Sequence, residues 1–404
     1  MPWQEVKPMD QRIRFIGDYL HDYFSLSELC SRFGISRTTG YKWIHRYQAS
    51  GRPDALSDRS RRPHHSPTRI SDEIVQLLLA VRDKHPFWGP RKILCLVAKS
   101  YPDLILPAES TVALILNRNG YIKPRRKRIK RYHPGRPLTV ITRPNEVWTA
   151  DFKGHFKTRD GLYCYPLTIA DGHSRYLFSI AGMLSPRHRS VKSIFKGLFE
   201  QYGLPERIRT DNGNPFASVA LGRLSRLSAW WIRLGIIPEL IEPGCPEQNG
   251  RHERMHRTLK YETTIPPAAN LAKQQHRFDQ FRQEYNHLRP HEALGMKSPV
   301  KVYHASTREM PSHLPPVEYP AHYEVRRVSK NCGIRWNCKR VCVSQVLAGE
   351  DIGLEEIDDG IWDIYFGPVW LGRLNEKLMK IEDENGKLQR HLFNKNQLKC
   401  QPCL

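Results

Sequence analysis

Three acidic residues stand where their carboxylates could bind metal ions. Asp151 and Asp211 each end an apolar, strand-like run, and Glu253 lies on a stretch, 251–264, that nothing interrupts as a helix. Divalent cations such as Mg²⁺ or Mn²⁺ prefer carboxylate oxygens as ligands. Two strand-end aspartates followed by a helix-borne glutamate are therefore the arrangement expected to bind a pair of such ions.

The helix around Glu253 has two distinct faces. The spacing i, i+4 and i+7 places Glu253 on one side with Arg257 and Lys260. A second face, suited to packing, consists of His252, Met255 and Leu259. An ordinary surface helix with salt bridges is the alternative interpretation, and the two upstream aspartates argue against it.

Composition indicates a protein that binds a polyanion. The chain has 404 residues, enough for several domains, and 64 Lys and Arg against 41 Asp and Glu give a net charge of +23. It has no apolar run of membrane-spanning length and no secretory signal, so we expect a soluble cytoplasmic protein that acts on nucleic acid. The nine scattered cysteines predict reduced thiols rather than a disulfide framework or a zinc site.

The elements that must position this chemistry begin with a helix-turn-helix pattern between residues 24 and 47. A short helix, the turn Gly34-Ile35 and an N-cap at Ser36 precede a second helix with a polar outer side. In this motif the start of the second helix enters the major groove of DNA. The predicted DNA contacts are Arg37, Thr38, Lys42 and Arg46. A helical hairpin with a basic surface is the alternative.

Two basic segments follow. Prolines keep the first, 53–69, extended, so that a phosphate backbone or a minor groove could bind its arginines. A second helical module, also of helix-turn-helix type, separates it from the run 123–131, which has seven basic residues in nine. Such a run is usually a solvated tail, but between DNA-binding domains it favours phosphate contacts. The predicted contacts are Arg59, Arg61, Arg62, Arg125 and Arg126.

Residues 144–304 alternate strand and helix signals, as is typical of an α/β domain. Three strands joined by short turns precede helix, strand, helix, strand and helix, which is the order of a ribonuclease-H-like domain. In that order the first strand is central and the fourth lies beside it, so Asp151 and Asp211 become neighbours. Asp171 lies in an Asp-Gly turn and is interpreted as structural.

The predicted fold class is therefore multidomain, with all-α modules, a central α/β core and a small C-terminal β-barrel of about five strands. Seven segments are expected: a helix-turn-helix domain at 1–52, a basic linker at 53–69, a second helical module at 70–122, a basic linker at 123–143, the α/β core at 144–304, a proline-rich linker at 305–320 and the β-barrel at 321–404.

Three motifs resemble the catalytic signatures of DDE transposases and retroviral-type integrases. They are WTADF around Asp151, TDNG around Asp211 and PEQNGRHERMHRTLK around Glu253, and the run EYNHLRPHEAL follows at 284–294. Together the motifs are highly specific, and the resemblance covers most of the chain, from the N-terminal helix-turn-helix to about Tyr303. The chain is identified as a member of the IS481 group of insertion-sequence transposases, within the wider IS3-like class, up to about Tyr303.

The resemblance implies a site and a reaction. Asp151, Asp211 and Glu253 are the expected catalytic and metal-binding residues, holding two Mg²⁺ or Mn²⁺ ions that flank a scissile phosphate. The expected reactions are cleavage at the ends of the element and transfer of those ends into target DNA. Double-stranded DNA is the expected partner, a dimer the smallest expected assembly, and the bacterial nucleoid the expected location. Further expected DNA contacts are Gln248, Asn249, Arg257 and Lys260.

The spacing departs from the family pattern at one point. The customary interval counted from Asp211 ends at Glu247, whereas 41 residues separate Asp211 from Glu253. Glu247 precedes Asn-Gly in a loop-like run, while Glu253 lies on a helix within the matching motif, and metal sites need that rigidity. We therefore assign Glu253 and keep Glu247 as the fallback third acid. The extra residues are expected at 217–228.

Two other functions compete with an active transposase. A catalytically inactive, transposase-derived regulator would use the helix-turn-helix modules alone, but it would have no physical need for all three acids. A nuclease acting on RNA–DNA hybrids would share the core, but the two helical modules ahead of the core favour duplex DNA.

Overall fold

The computed structural model describes residues 7–59, 70–122, 138–242 and 245–382, with the backbone alone at 246 and 247. The chain divides into two compact units, Met1–Ser71 and Asp72–Leu404. Four of the predicted DNA contacts lie outside the described residues: Arg61, Arg62, Arg125 and Arg126.

The first unit is a three-helix module, α1 (Pro8–Leu20), α2 (Leu26–Arg32) and α3 (Arg37–Ser50). As predicted, Ser36 caps α3, with its hydroxyl accepting from the Thr39 backbone N–H at 3.2 Å. A Cβ added at Gly40 would come within 2.5 Å of the Cys30 Sγ, so glycine allows α3 to lie close to α2. The predicted helix-turn-helix is confirmed.

The second helical module opens the second unit with α4 (Asp72–Lys84), α5 (Pro90–Ser100) and α6 (Glu109–Arg118). Buried side chains on all three helices, Leu78, Ile93 and Val112 among them, explain why they stay together. The module also contacts the α/β core directly, since the His85 Nδ1 lies 2.8 Å from the Glu284 Oε1.

The α/β core contains a six-stranded mixed sheet in the order β2-β3-β1-β5-β6, with β4 paired to β3. Its elements are β1 (Val147–Phe152), β2 (Phe156–Lys157), β3 (Tyr163–Asp171), β4 (Leu177–Met183), α7 (His188–Tyr202), β5 (Arg207–Thr210), α8 (Arg226–Arg233), β6 (Ile237–Leu240), α9 (Gly250–Thr263) and α10 (Leu271–Gln283). The first strand is central and pairs in parallel with β5. The predicted ribonuclease-H-like order is confirmed.

Apolar residues cover both faces of this sheet, which fixes the helices around it. On one face α7 and α8 pack through a cluster that includes Trp148, Phe195 and Trp231. On the other face α9 and α10 pack through Leu259 and Phe278. The helix that carries Glu253 is thus held against the sheet by buried apolar area.

The C-terminal region is a five-stranded antiparallel sheet in the order β13-β12-β11-β10-β7, with a separate hairpin β8-β9. Its strands are β7 (Glu324–Arg327), β8 (Gly333–Trp336), β9 (Lys339–Cys342), β10 (Asp351–Asp358), β11 (Ile361–Phe366), β12 (Val369–Asn375) and β13 (Lys380–Glu382). Within the described residues β13 and β7 do not pair, so the predicted barrel takes the form of an open sheet.

Two expectations on chemistry and location can be compared with this fold. Seven cysteines in the described ranges are free thiols, as predicted. None of the described helices combines the length and the apolar character that a membrane crossing requires.

Candidate active site

Asp151 and Asp211 lie side by side at the carboxyl ends of β1 and β5, with Asp151 still paired to Thr168 of β3. Strands β1 and β5 run in parallel with Ala150 opposite Thr210, so the residue that follows each of these partners is an aspartate. The Asp151 side chain is 17% exposed, and Asp211 is half-buried. The predicted neighbourhood of these two aspartates is present in the fold.

The pKa values of Asp151 and Asp211 are both raised, because the two carboxyl groups are partly removed from water and lie near each other. Burial, the negative charge of Asp211 and, less strongly, that of Glu253 together raise the pKa of Asp151 to about 7, against the lowering effects of a backbone hydrogen bond and Lys153. Burial also raises the pKa of Asp211, against a hydrogen bond from the Gly213 N–H at 3.1 Å. Bound cations would relieve this repulsion.

Glu253 stands at the edge of this acidic pair. It lies in the first turn of α9, is exposed to solvent, and its charge acts on Asp151. In the described ranges no three Asp, Glu, His or Cys side chains are close enough together to hold an ion. Glu247 belongs to the 3-10 helix Pro246–Asn249, and its side chain lies outside the described part of the chain.

Two buried histidines on α9 connect the helix to Asp151. The Nε2 atoms of His252 and His256 both lie 2.6 Å from the Thr168 hydroxyl, which is 3.0 Å from the Asp151 carbonyl oxygen. The His252 Nδ1 lies 2.9 Å from the Thr149 hydroxyl, and the His256 Nδ1 lies 3.6 Å from the Asp151 Oδ2. Burial lowers the pKa of His252 to about 3 and that of His256 to about 2, so both are neutral near pH 7.

The helical pattern predicts His252 on the packing face and does not single out His256. Their spacing of four residues beside the glutamate was the available signal, since it places both imidazoles on one side of the helix. What the pattern could not give is their common partner, Thr168, which is more than eighty positions away in sequence.

The interval between Asp211 and Glu253 includes a segment that contacts the C-terminal sheet. Residues 217–228 contribute Leu221 and Leu224 to an apolar cluster shared with β10, β11 and β12 of the C-terminal sheet. Gly222 has φ 60°, and a Cβ there would come within 2.9 Å of the Leu371 Cδ2. This segment therefore packs against the C-terminal sheet; that it holds the extra residues stays a prediction.

The predicted DNA contacts of the first unit lie on its surface. Arg37, Thr38, Lys42 and Arg59 are exposed. Arg46 is half-buried, with its guanidinium 4.8 Å from the centre of the Trp43 ring. Within this unit the start of α3 is therefore exposed, so a ligand could contact it.

The predicted contacts near α9 divide into two groups. Arg257 and Lys260 are exposed. Asn249 is only 5% exposed, and the Gln248 Oε1 accepts from the Glu242 backbone N–H at 2.8 Å, so in this structure both serve the loop before α9. Asp171 is also structural, as predicted, because its carboxylate accepts from the backbone N–H groups of Asn145 and Ser174.

Family comparisons agree with this architecture. One integrase core domain family matches residues 141–246, and a second integrase core domain family matches 234–299. A helix-turn-helix domain family matches residues 11–64, and a homeodomain-like domain family matches 39–116.

Relatives come from insertion elements and retroviruses. The chain is 24% identical over 271 residues to the insertion element IS476 uncharacterized 39.2 kDa protein of Xanthomonas euvesicatoria, covering 65% of this chain and 69% of that protein. It is 28% identical over 206 residues to the insertion element IS407 uncharacterized 31.7 kDa protein of Burkholderia multivorans. That match covers 47% of this chain and 68% of that protein. The integrase core domain, the helix-turn-helix domains and these two relatives together support a transposase of the insertion-element type.

Further matches come from retroviral proteins. The transposase is 28% identical over 172 residues to the Gag-Pol polyprotein of baboon endogenous virus, which covers 43% of this chain but 9% of the polyprotein. Among solved structures, the HTLV-2 integrase catalytic core domain in complex with magnesium covers 40% of this chain and 98% of its own, at 19% identity and a TM-score of 0.31. The match to a simian T-cell lymphotropic virus intasome covers 72% of this chain and 97% of that chain, at 16% identity and a TM-score of 0.35.

Proposed function

We propose that this transposase is a DDE enzyme in which Asp151, Asp211 and Glu253 hold two Mg²⁺ or Mn²⁺ ions. The observation that carries the proposal is the pair of aspartates at adjacent parallel strand ends, with the pKa of Asp151 raised to about 7 beside Asp211 and Glu253. Uncompensated carboxylates of this kind fit divalent cations, which prefer oxygen ligands. Bound ions would activate the attacking oxygen and stabilise the leaving oxygen of a phosphodiester.

The residues of the chain have separable tasks in this proposal. Asp151, Asp211 and Glu253 would supply the carboxylate oxygens that hold the ions. The parallel pairing of β1 and β5 supports the placement of the two aspartates, and the charge of Glu253, in the first turn of α9, acts on Asp151. Arg257 and Lys260 lie one and two turns further along the exposed face, where they would hold the DNA backbone.

The substrates proposed are the ends of an insertion element and a target duplex. Two helix-turn-helix families match the N-terminal region, which supports sequence-specific binding of the ends through Arg37, Thr38, Lys42 and Arg46. Because two ends must react together, the working assembly is proposed to be at least a dimer. The IS481 group remains the proposed subgroup.

A strand-transfer assay tests the proposal. The substrate is a labelled duplex carrying the ends of the element that encodes the chain, and wild type is compared with Glu253→Gln and Glu247→Gln in Mg²⁺. We expect Glu253→Gln to lower the rate of strand transfer by at least about 100-fold, because removing one group that stabilises charge at the reacting phosphate costs that much or more. Glu247→Gln should retain activity. If only Glu247→Gln lost strand-transfer activity, Glu247 rather than Glu253 would be the third metal-binding acid.

The inactive regulator makes the opposite prediction. In that case neither variant would change any reaction, and end binding in EDTA would be the only measurable property of the wild type. Buried, mutually repelling aspartates favour the enzyme, since a regulator gains nothing from them.

A further inference from the structure

A cavity of about 210 Å³ lies beside α9 on a side that Glu253 does not occupy. Arg251, Arg254 and Thr258 of its lining follow the spacing i, i+3 and i+7, so they share a face distinct from that of Glu253. We call it the basic cavity because five cationic side chains line it: Lys92, Arg175, Arg251, Arg254 and Arg289. They come from α5, the β3–β4 turn, α9 and the segment after α10.

The carboxylates around the basic cavity are too few to neutralise it. In the described ranges the side chains of Lys92, Arg175 and Arg254 have no hydrogen bond or salt bridge to a carboxylate. Arg289 is paired with Glu262, at 3.3 Å. Glu292 is the acidic member of the lining, and its own contact is with Arg91 outside the cavity, at 4.0 Å.

The cations therefore repel each other in a partly desolvated space. Burial and the charge of Arg289 lower the pKa of Lys92 to about 8. Burial and the charges of Arg251 and Arg254 lower the pKa of Arg175 to about 10. The His291 Nε2 is buried and has no partner among the described residues. Such a concentration of positive charge costs free energy unless an anion occupies it.

We propose that the basic cavity binds a backbone phosphate of the DNA on which this transposase acts. Guanidinium groups match phosphate oxygens in a bidentate geometry, and converging arginines can surround a single phosphodiester. Lys92 belongs to the second helical module and Arg254 to the core, so one phosphate would join the module to the catalytic helix. The inference rests on the DNA-binding role in the proposed function and adds a contact apart from the acids.

Salt-dependent DNA binding tests this inference. Affinity for a labelled duplex of random sequence is measured by fluorescence anisotropy in EDTA, where no cleavage occurs, across a series of KCl concentrations. The slope of log K against log salt is negative, and each phosphate contact makes it steeper by about 0.9. We expect Lys92→Gln with Arg175→Gln to make this slope less negative by about 1. Lys84→Gln with Lys99→Gln is the matched control, since both lysines are exposed and outside the cavity lining, and it should change the slope less.

Two measurements keep the test decisive. In thermal unfolding without ligand, the Tm of the cavity variant should be at least that of wild type, because repulsion between the cations is removed. A lower Tm together with an unchanged salt slope would overturn the inference. Inorganic phosphate is the second arm: stabilisation by phosphate that the cavity variant loses, with equal DNA slopes, would mean a free phosphate ligand and would also overturn it. Binding in EDTA is independent of strand transfer, so failure of the catalytic proposal leaves a separate result.

Discussion

The two faces of α9 differ in how their polar groups are satisfied. On the buried face, His252 and His256 share the Thr168 hydroxyl at 2.6 Å and are held neutral by burial. On the exposed face, the side chains of Glu253, Arg257 and Lys260 have no hydrogen bond or salt bridge within the described residues. One face fixes the helix against the sheet, and the other remains available to ligands.

The buried face also limits which protons are present. The Thr168 hydroxyl has one hydrogen, and the Asp151 carbonyl oxygen beside it can only accept. Whichever partner receives that hydrogen, at least one of the two imidazoles must carry its own proton on Nε2. A satisfied buried network of this kind is rigid, and the free energy of unfolding depends on each member. The comparison thus predicts large stability effects on one face and small ones on the other.

The largest effect is expected at Thr168. Thr168→Val keeps the shape of the side chain but removes the hydroxyl, leaving two buried imidazoles without this partner. Each unsatisfied buried group costs about 1–3 kcal/mol, so the free energy of unfolding should fall by roughly 2–6 kcal/mol. Denaturant unfolding followed by tryptophan fluorescence measures the change.

Thr307→Val is the matched control for this variant. Thr307 is exposed and makes no side-chain hydrogen bond within the described residues, so its replacement should change stability by less than about 0.5 kcal/mol. Equal effects of the two variants would mean that the Thr168 hydroxyl does not hold α9 to the sheet.

The order of elements could be read from the sequence because it depends on local signals. The strand ends at Asp151 and Asp211, the turn at Asp171 and the cap at Ser36 each reveal themselves within a few residues. Parallel pairing of β1 with β5 then follows from the known order of the fold. The predicted neighbours Asp151 and Asp211 needed no information beyond that.

Features that join distant segments could not be read in this way. The partner of His252 and His256 lies on β3, and the five cations of the basic cavity come from four separate elements. Asn249 also escaped, because a polar residue before a helix usually faces solvent, whereas here it is buried. The choice between Glu253 and Glu247 depends on how residues 217–228 fold against the C-terminal sheet, which no local pattern contains.

A smaller, pH-dependent effect on the free energy of unfolding is expected at Asp151. This β1 residue lies 3.6 Å from His256 of the buried face and feels the charge of Glu253 on the exposed face. Its folded pKa of about 7 exceeds the ordinary value of 3.8, so between these values the folded state binds more protons than the unfolded state. Stability must therefore fall as the pH rises from about 4 to 7. Asp151→Asn carries no charge and should be more stable than wild type at pH 8 by about 1–4 kcal/mol in EDTA.

The pH profile separates this effect from better packing. The difference between Asp151→Asn and wild type should shrink steadily as the pH falls from 8 to 5, because the wild-type carboxyl becomes protonated. Adding Mg²⁺ at pH 8 should stabilise wild type and leave the variant nearly unchanged. A difference that stays constant with pH would show that Asp151 is not the titrating group.

The smallest effect is expected for Glu253→Gln, which sharpens the contrast between the faces. Glu253 is exposed and lacks a bonded partner in the described ranges, so in EDTA its neutralisation should change the free energy of unfolding by less than about 0.5 kcal/mol. In Mg²⁺ the variant should lose most of the stabilisation that wild type gains, since a ligand of the ions is missing. A gain in EDTA as large as that of Asp151→Asn would instead place Glu253 inside the repelling acidic cluster, and the available face of α9 would then be limited to Arg257 and Lys260.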